Sequence, residues 1–515
     1  MNGRIFFITI LILLISCASR EDKETYTYQD DILVRIADKT ITVNEFLRRA
    51  EYTIRPAWCR DSNPIHKKIV LNSLIAEKLL ALEQNQQNEL MMNPRFQKYL
   101  TGRKEQAMRQ WLYQKEIDEQ IHLDSNEVKK VYHVAGREYE LSYLTVGNQY
   151  LAKTIKNELL NGSRSLEDIF HELGGEGELP SKVVTFKESG NDSIRKALYS
   201  DVLSRGQYLG PITVEGEKYT IIRIDKWTEK LALSDKQAKE QMNLVQEKLK
   251  ERYGIRAFQH YIRTLMKGKS AEFNKEIFAQ LAEAYASFYQ NIGKEKENFF
   301  KREIFDDKKE RAVHMDFYGK IETILDKPLV TFDGKIWTVR EFRDAEASHP
   351  LVFRKDRFEG DYAQQFKYAI IDLIRDQYVT KDAYKKKYDQ VPQVQEVYNM
   401  WKDNMLALFA KDKYLHSIGV SGGKPLDLIE KYLNDYIAQL QQKYSDRIEI
   451  DTDKFNELQL NRIDMYVIQK NVPYPDVVPS FPELTSLHLL NYGKKLIGKK
   501  LDSVYGSNMK KTIAR

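Results

Sequence analysis

The chain has 515 residues, of which 42% are hydrophobic and 30% are charged, and it contains only 24 Gly, 13 Pro and two Cys. This composition predicts a helix-rich globular protein of several domains and excludes the disordered and fibrous classes. The net charge of +6 comes from 81 basic and 75 acidic residues that are interspersed along the chain. Such a balance gives no support to nucleic-acid binding and indicates an ordinary solvated surface.

Residues 1–16 have the pattern of an export signal. A single basic residue, Arg4, precedes an apolar run over Ile5–Ile15. A helix needs roughly 20 apolar residues to cross a hydrocarbon core of about 30 Å, so this run is typical of a cleaved signal peptide. The following Leu14-Ile15-Ser16-Cys17 resembles the bacterial lipobox, and this resemblance implies that Cys17 carries a lipid. Two acyl chains would then hold the protein stably at a membrane.

Residues 17–31 are polar and predict a tether between the lipid and the folded body. Ala18 follows Cys17, whereas an Asp at that position would favour retention in the inner membrane by the rule for lipobox proteins. The predicted location is therefore the cell envelope, at the outer membrane and facing the periplasm. Two other interpretations stay open: an ordinary secretory signal in which Cys17 is incidental, and an uncleaved anchor.

Residues 32–135 are expected to form a helical module that begins with two short strands. Thr42-Val43-Asn44-Glu45 has the pattern of a capping box, in which the Thr and Glu side chains each bond to the other residue's backbone N–H. Apolar residues at helical spacing then predict long helices over 65–86 and 95–121. A further short helix is expected to start after Asp124.

Residues 136–230 differ in pattern and predict a small α+β unit. The alternation in Leu141, Tyr143 and Thr145 indicates a strand, and two amphipathic helices are expected over 150–160 and 166–173. Gly206–Pro211 and a final apolar run over 219–224 predict the strands that close the unit.

The strand-turn-helix pattern recurs about 296 residues later. Residues 333–342 contain Lys-x-x-Thr-Val-x-Glu-Phe, as do residues 37–46, and Leu373-Ile374-Arg375-Asp376 corresponds to Leu74-Ile75-Ala76-Glu77. These matches predict that the helical module occurs twice. Because the motif is short, chance similarity between two sets of amphipathic helices stays open as the alternative.

The rest of the chain is divided accordingly. Residues 231–325 predict a helical linker domain, and residues 326–420 predict the second helical module. Residues 421–515 are expected to form a helical segment followed by a tail in which Pro473, Pro475, Pro479 and Pro482 break regular structure.

Conventional catalytic motifs are absent from the sequence. If Cys17 is lipidated, Cys59 has no partner for an intrachain disulfide, and the nine His residues show no metal-ligand spacing. No Gly-rich phosphate loop or G-x-S-x-G sequence occurs. We therefore expect no metal and no cofactor.

The order of these elements resembles the SurA/PrsA-type parvulin foldases, which are exported chaperones with a helical domain and one or more prolyl-isomerase domains. The resemblance covers about residues 32–230. It implies a mainly α fold with a small α+β domain of the parvulin (PpiC) type, in a multi-domain helical chaperone architecture.

Active parvulins carry one His in the first strand and another near the start of the last strand. The positions that match them here are Ser142 and Thr220. Without the imidazoles, isomerase activity is doubtful and the question of an enzyme stays open. The resemblance also indicates candidate client-binding residues, namely Tyr143, Leu166, Pro211 and Tyr219.

The function implied is that of a membrane-anchored periplasmic chaperone that holds unfolded exported polypeptides, outer-membrane proteins being one candidate class of client. A holdase needs an apolar surface and no catalytic group. Two alternatives remain: an active peptidyl-prolyl isomerase, and a structural or assembly lipoprotein that docks a fixed envelope partner.

Overall fold

The computed structural model describes residues 32–84, 87–214, 218–292, 317, 319–349, 351, 362–460 and 472–496. The predicted signal peptide, the tether and Cys17 lie outside the described residues. Helices dominate the described ranges, and one small α+β unit lies between helical regions. The predicted fold class, mainly α with a small α+β domain, is therefore confirmed.

The first module starts with a β-hairpin and a capped helix. The Thr42 hydroxyl accepts from the Glu45 backbone N–H at 2.9 Å, as expected for the N-cap. The Glu45 carboxylate, however, lies 2.8 Å from the Lys78 ammonium, so the box is only half formed. The elements of this module are β1 (Ile32–Ile36), β2 (Lys39–Thr42), α1 (Val43–Glu51), α2 (Pro64–Leu82), α3 (Glu89–Met92) and α4 (Pro94–Glu116).

The α+β unit contains a four-stranded antiparallel sheet in the order β4-β3-β6-β5. Helices α6 and α7 cover one face, where Leu144 and Ile221 are buried. Helices α5 and α8 cover the other, where Leu141 and Ile222 are buried. The elements are α5 (Ser125–Ala135), β3 (Arg137–Val146), α6 (Gln149–Leu160), α7 (Leu166–Glu172), β4 (Ser181–Val184), α8 (Asp192–Tyr199), β5 (Tyr208–Val214) and β6 (Lys218–Glu229).

A long helix, α9 (Asp235–Leu265), connects this unit to the helical body. Its 31 residues span about 46 Å at 1.5 Å per residue. Val245 and Leu249 belong to the core of the α+β unit. Phe258, further along, packs in a core that contains residues of α4. One helix therefore fixes the α+β unit to the body.

The second module repeats the hairpin and capped helix of the first. Thr338 and Glu341 form a complete capping box at the start of the helix that follows the hairpin. The elements from the linker through this module are β7 (Ala271–Phe273), α10 (Lys275–Ile292), β8 (Pro328–Phe332), β9 (Lys335–Thr338), α11 (Val339–Ser348), α12 (Tyr362–Lys385) and α13 (Pro392–Ser417). Strand β7 pairs with β8 and extends the hairpin to three strands.

The C-terminal region returns to the first module. Strand β10 pairs antiparallel with β1, and β11 adds parallel to β10, which gives the sheet order β11-β10-β1-β2. The elements are α14 (Pro425–Leu428), a π-helical turn (Ile429–Leu433), α15 (Asn434–Lys443), β10 (Ile448–Ile450), α16 (Thr452–Glu457) and β11 (Lys494–Lys495).

The two modules interlock through their last long helices. Ala407 and Ala410 of α13 are buried in the core formed by the first module. In turn, α4 packs against α11 and α12 of the second module. A second core joins residues of α4 with Val394, Met400 and Trp401. The modules are separate in sequence but share two hydrophobic cores.

Gly102 permits a close approach between the two modules. A Cβ at this position would lie 1.7 Å from the backbone oxygen of Ser348. We expect Gly102→Ala to lower the free energy of unfolding by about 1–3 kcal/mol, because α4 and α11 would have to move apart. Urea unfolding measures this change. Gly147→Ala, where a Cβ meets nothing within 4 Å, is the control and should change it much less.

Candidate functional site

The α+β sheet places the two positions matched to the parvulin histidines on opposite faces. Ser142 of β3 pairs with Arg223 of β6, on the face that also buries Leu144. Thr220 pairs with Thr145, on the face that buries Ile222. Ser142 and Thr220 therefore do not face each other across one cleft.

Ser142 belongs to a network of hydrogen-bonded polar groups on its face of the sheet. Its hydroxyl donates to Asp225 Oδ2 at 2.6 Å. The Arg223 guanidinium donates from Nε to Asp225 Oδ1 at 2.7 Å and from Nη1 to Glu167 Oε1 at 2.6 Å. Burial opposes the charge, but the hydrogen bonds that the guanidinium donates to these two carboxylates raise the pKa of Arg223 above its usual range. Each charged group of this network thus has a partner within the α+β unit.

Thr220 takes part in a different arrangement, next to strand β5. Its Oγ1 lies 2.8 Å from the Oγ1 of Thr145. Strand β5 approaches β6 closely at Gly210, which has φ +109°. A Cβ at this position would lie only 2.6 Å from the Thr220 backbone oxygen. Neither β3 nor β6 contains a His. This position therefore has two threonine hydroxyl groups next to buried apolar side chains, and β3 and β6 supply no imidazole.

The four candidate client-binding residues do not form one surface. Leu166, the first residue of α7, is fully buried in the sheet core, so its role is packing. Tyr219 packs against that same core, whereas Tyr143 packs against the core on the other face. Pro211 is half-buried in β5, where the strand register shifts.

A set of exposed apolar side chains on this unit was missed by sequence reasoning. Among the described residues, fourteen large apolar side chains are exposed, and seven of them lie on the α+β unit and its junction with α9. These seven are Tyr150, Leu160, Leu173, Val183, Val202, Leu231 and Leu233. Periodicity could not identify them, since they lie at helix ends, on an edge strand and in loops.

Leu231 and Leu233 are held in place although their side chains are 70% and 86% exposed. The Lys230 backbone N–H donates to the Gly136 carbonyl at 2.9 Å. The Leu233 backbone N–H donates to the Gln237 side chain at 2.8 Å, at the start of α9. Ala232 separates the two leucines in the segment between β6 and α9, which has no helix or strand. Leu231 and Leu233 are therefore exposed apolar side chains on a hydrogen-bonded segment of backbone.

Cys59 is fully buried in the core of the first module. Burial raises the pKa of its thiol to about 12, so the reactive thiolate is scarce at neutral pH. We expect no labelling of Cys59 by iodoacetamide in the folded protein at pH 7.5 and full labelling in urea, measured by mass spectrometry. Labelling at equal rates in both conditions would contradict the buried position. A Cys17→Ser background removes the other thiol.

The described ranges contain neither a membrane-spanning helix nor a cluster of metal ligands. No helix there is long and apolar enough to span a membrane. No group of three or more His, Cys, Asp or Glu side chains in those ranges is placed to hold a metal ion.

The chain has distant neighbours among solved structures. No protein-family model and no curated protein matches the chain. Among solved structures, the foldase protein PrsA from Streptococcus pneumoniae str. Canada MDR_19A is similar, with 14% sequence identity. The match covers 44% of this chain and 91% of that chain, with a TM-score of 0.17. This weak likeness makes a foldase a distant structural neighbour of the chain. It supports no conclusion about the activity of the chain.

Proposed function

We propose that this protein is a chaperone-like lipoprotein that holds unfolded exported polypeptides near a membrane. The observation that supports the proposal is the concentration of exposed apolar side chains on the α+β unit, with Leu233, Tyr150 and Leu231 as its most exposed members. Isolated exposed apolar residues are ordinary, but a set fixed on one unit provides many weak contacts to unfolded chains. Weak and numerous contacts allow both capture and release.

Aggregation of an unfolded client tests the holding function. Wild-type protein at stoichiometric ratio is expected to slow the rise in light scattering of a chemically unfolded client. The double variant Leu231→Ser with Leu233→Ser should lose much of this effect, whereas Ile54→Ser with Ile65→Ser, exposed on the first module, should retain it. A wild-type protein without effect on scattering would refute the proposal.

We further propose that the α+β unit binds chains without isomerising prolyl bonds. Ser142 and Thr220 are engaged on opposite faces of the sheet, and each has an internal hydrogen-bond partner. A refolding reaction limited by proline isomerisation tests this step, since a catalyst accelerates the slow phase at substoichiometric concentration. Acceleration by the wild-type protein would support the alternative of an active isomerase.

The membrane anchor is the third part of the proposal. Lipidation of Cys17 would place the body on a tether over residues 17–31, which reaches about 45 Å when extended. Cys17→Ser should move the protein from the membrane to the soluble fraction and leave client binding in solution unchanged. Recovery of one stable envelope partner in place of many unfolded chains would favour an assembly lipoprotein.

A further inference from the structure

A groove of about 490 Å³ lies between β9 and α4. This β9–α4 groove is lined by side chains of α4, β9, α11 and α12. Its volume is within the range of about 300–1,000 Å³ that is common for ligand clefts. Within the described residues, β9 has β8 as its one strand partner, so its outer edge is free of strand pairing.

The equivalent position in the first module is closed by an ion cluster. Asp403 of α13 accepts from Lys39 of β2 at 2.6 Å and lies 3.2 Å from the Lys78 ammonium. Lys78 in turn lies 2.8 Å from Glu45. Two cations and two anions thus fill the space between the hairpin, α2 and α13. Three of the four, namely Lys78, Glu45 and Asp403, are almost completely buried.

The internal repeat identifies the counterparts of these four residues. Lys335 and Glu341 occupy the places of Lys39 and Glu45 in the repeated Lys-x-x-Thr-Val-x-Glu-Phe motif. Gln377 follows Asp376 as Lys78 follows Glu77. Glu105 is the eleventh residue after Pro94 at the start of α4, as Asp403 is after Pro392 at the start of α13. The four counterparts, Lys335, Glu341, Gln377 and Glu105, all line the β9–α4 groove.

One cation is therefore missing from the second cluster. Gln377 replaces the lysine that lies between two carboxylates in the first module, and two acids, Glu105 and Glu341, remain with a single lysine, Lys335. Glu341 accepts from the Thr338 backbone N–H of the capping box and Glu105 accepts from the Tyr384 hydroxyl at 3.2 Å, but within the described residues neither carboxylate pairs with a cation. No ion pair joins Lys335 to Glu105 in the ranges described here; Lys335 lies 5.8 Å from the ring of Trp337. The other two charged groups that line the groove, Lys98 and Asp344, pair with each other at 3.0 Å.

We propose that the β9–α4 groove binds an extended polypeptide segment and receives one of its lysine or arginine side chains. The basic group would occupy the place that Lys78 has in the first module, between Glu105 and Glu341. The free edge of β9 suits strand addition, in which main-chain hydrogen bonds supply affinity and a side-chain pocket supplies specificity. The inference rests on the proposed holding function and adds a preference for basic client segments.

Peptide titration tests this preference. Two acetylated and amidated seven-residue peptides of alternating Thr and Val carry either Lys or its neutral analogue norleucine at the centre, together with a fluorophore for anisotropy. The Lys peptide is expected to bind about tenfold more tightly, as one charge-assisted hydrogen bond provides. Gln377→Lys, which restores the cation of the first module, should abolish the difference between the two peptides.

Further variants keep the test decisive if Gln377→Lys unfolds the protein. Glu105→Gln should reduce the preference for the Lys peptide by a similar factor, whereas Glu322→Gln, an exposed acid outside the groove, should leave it unchanged. Equal affinity for the two peptides, or competition by free spermidine with no dependence on the peptide backbone, would overturn the proposal. The aggregation assay reports on the holding function alone, so the two failures are distinguishable.

Discussion

Replacing Glu77 with Ala is expected to lower the free energy of unfolding by about 3–5 kcal/mol, because the Arg49 guanidinium would remain buried without its anion. In the native chain, Arg49 donates from Nη1 and Nη2 to the two Glu77 carboxylate oxygens at 2.8 and 2.7 Å. Both side chains are fully buried. Asn404 of α13 also donates to Glu77 Oε2 at 2.7 Å, so this carboxylate joins the two modules.

Urea unfolding followed by tryptophan fluorescence and circular dichroism measures the effect. The matched control is Arg340→Ala, which removes a solvent-exposed pair with Asp326 and should change the free energy of unfolding far less than Glu77→Ala does. Arg49→Met combined with Glu77→Leu should recover much of the lost stability, since no unpaired charge remains. A loss from Glu77→Ala no greater than that of the control would contradict the role assigned to the pair.

Local signals in the sequence were sufficient for most helices and for the hairpins. The N-caps at Thr42 and Thr338 depend on residues three positions away, and the expected helix over 65–86 corresponds to Pro64–Leu82. The helix expected over 95–121 is shorter and ends at Glu116, where a 3₁₀ turn follows. Such features are decided by neighbouring residues and are therefore readable from the chain itself.

The interlocking of the modules could not be derived in this way. Strand β1 pairs with β10, which lies more than 400 residues later in the chain, and Asn404 bonds to Glu77 across 327 positions. Amphipathic spacing shows that a helix has a buried face, but it does not identify the surface that covers that face. Ala407 and Ala410 could have packed within their own module as well as in the core of the first.

The α+β site was predictable in outline and not in detail. Matching of short motifs located Ser142 and Thr220 on the central strands, and β3 and β6 are those strands. The face of each residue depends on register, and a bulge between Glu140 and Leu141 shifts the pairing just before Ser142. A shift of one residue moves a side chain to the opposite face of a sheet. Motif matching alone therefore could not place the two residues together or apart.

The tail between residues 472 and 496 packs along both modules. Tyr474 donates to Asp376 Oδ1 at 2.8 Å in the second module, and the Ser480 carbonyl accepts from Arg49 at 3.1 Å in the first. Phe481 and Leu484 lie in the core of the first module. The prolines exclude helix and strand from the first part of this segment, but they do not prevent it from being part of the core.

Leu484→Ala is therefore expected to lower the free energy of unfolding by about 2–5 kcal/mol, the cost of a cavity in a packed core. The Leu484 side chain is completely buried, although the segment around it has no helix or strand. Leu489 lies five residues later in the same tail and is 59% exposed, so Leu489→Ala should change stability by less than about 0.5 kcal/mol. Urea unfolding of the two variants provides the comparison. Equal effects would mean that the tail lies on the folded body without supporting it, whereas the expected difference makes the C-terminal segment a structural link between the two modules.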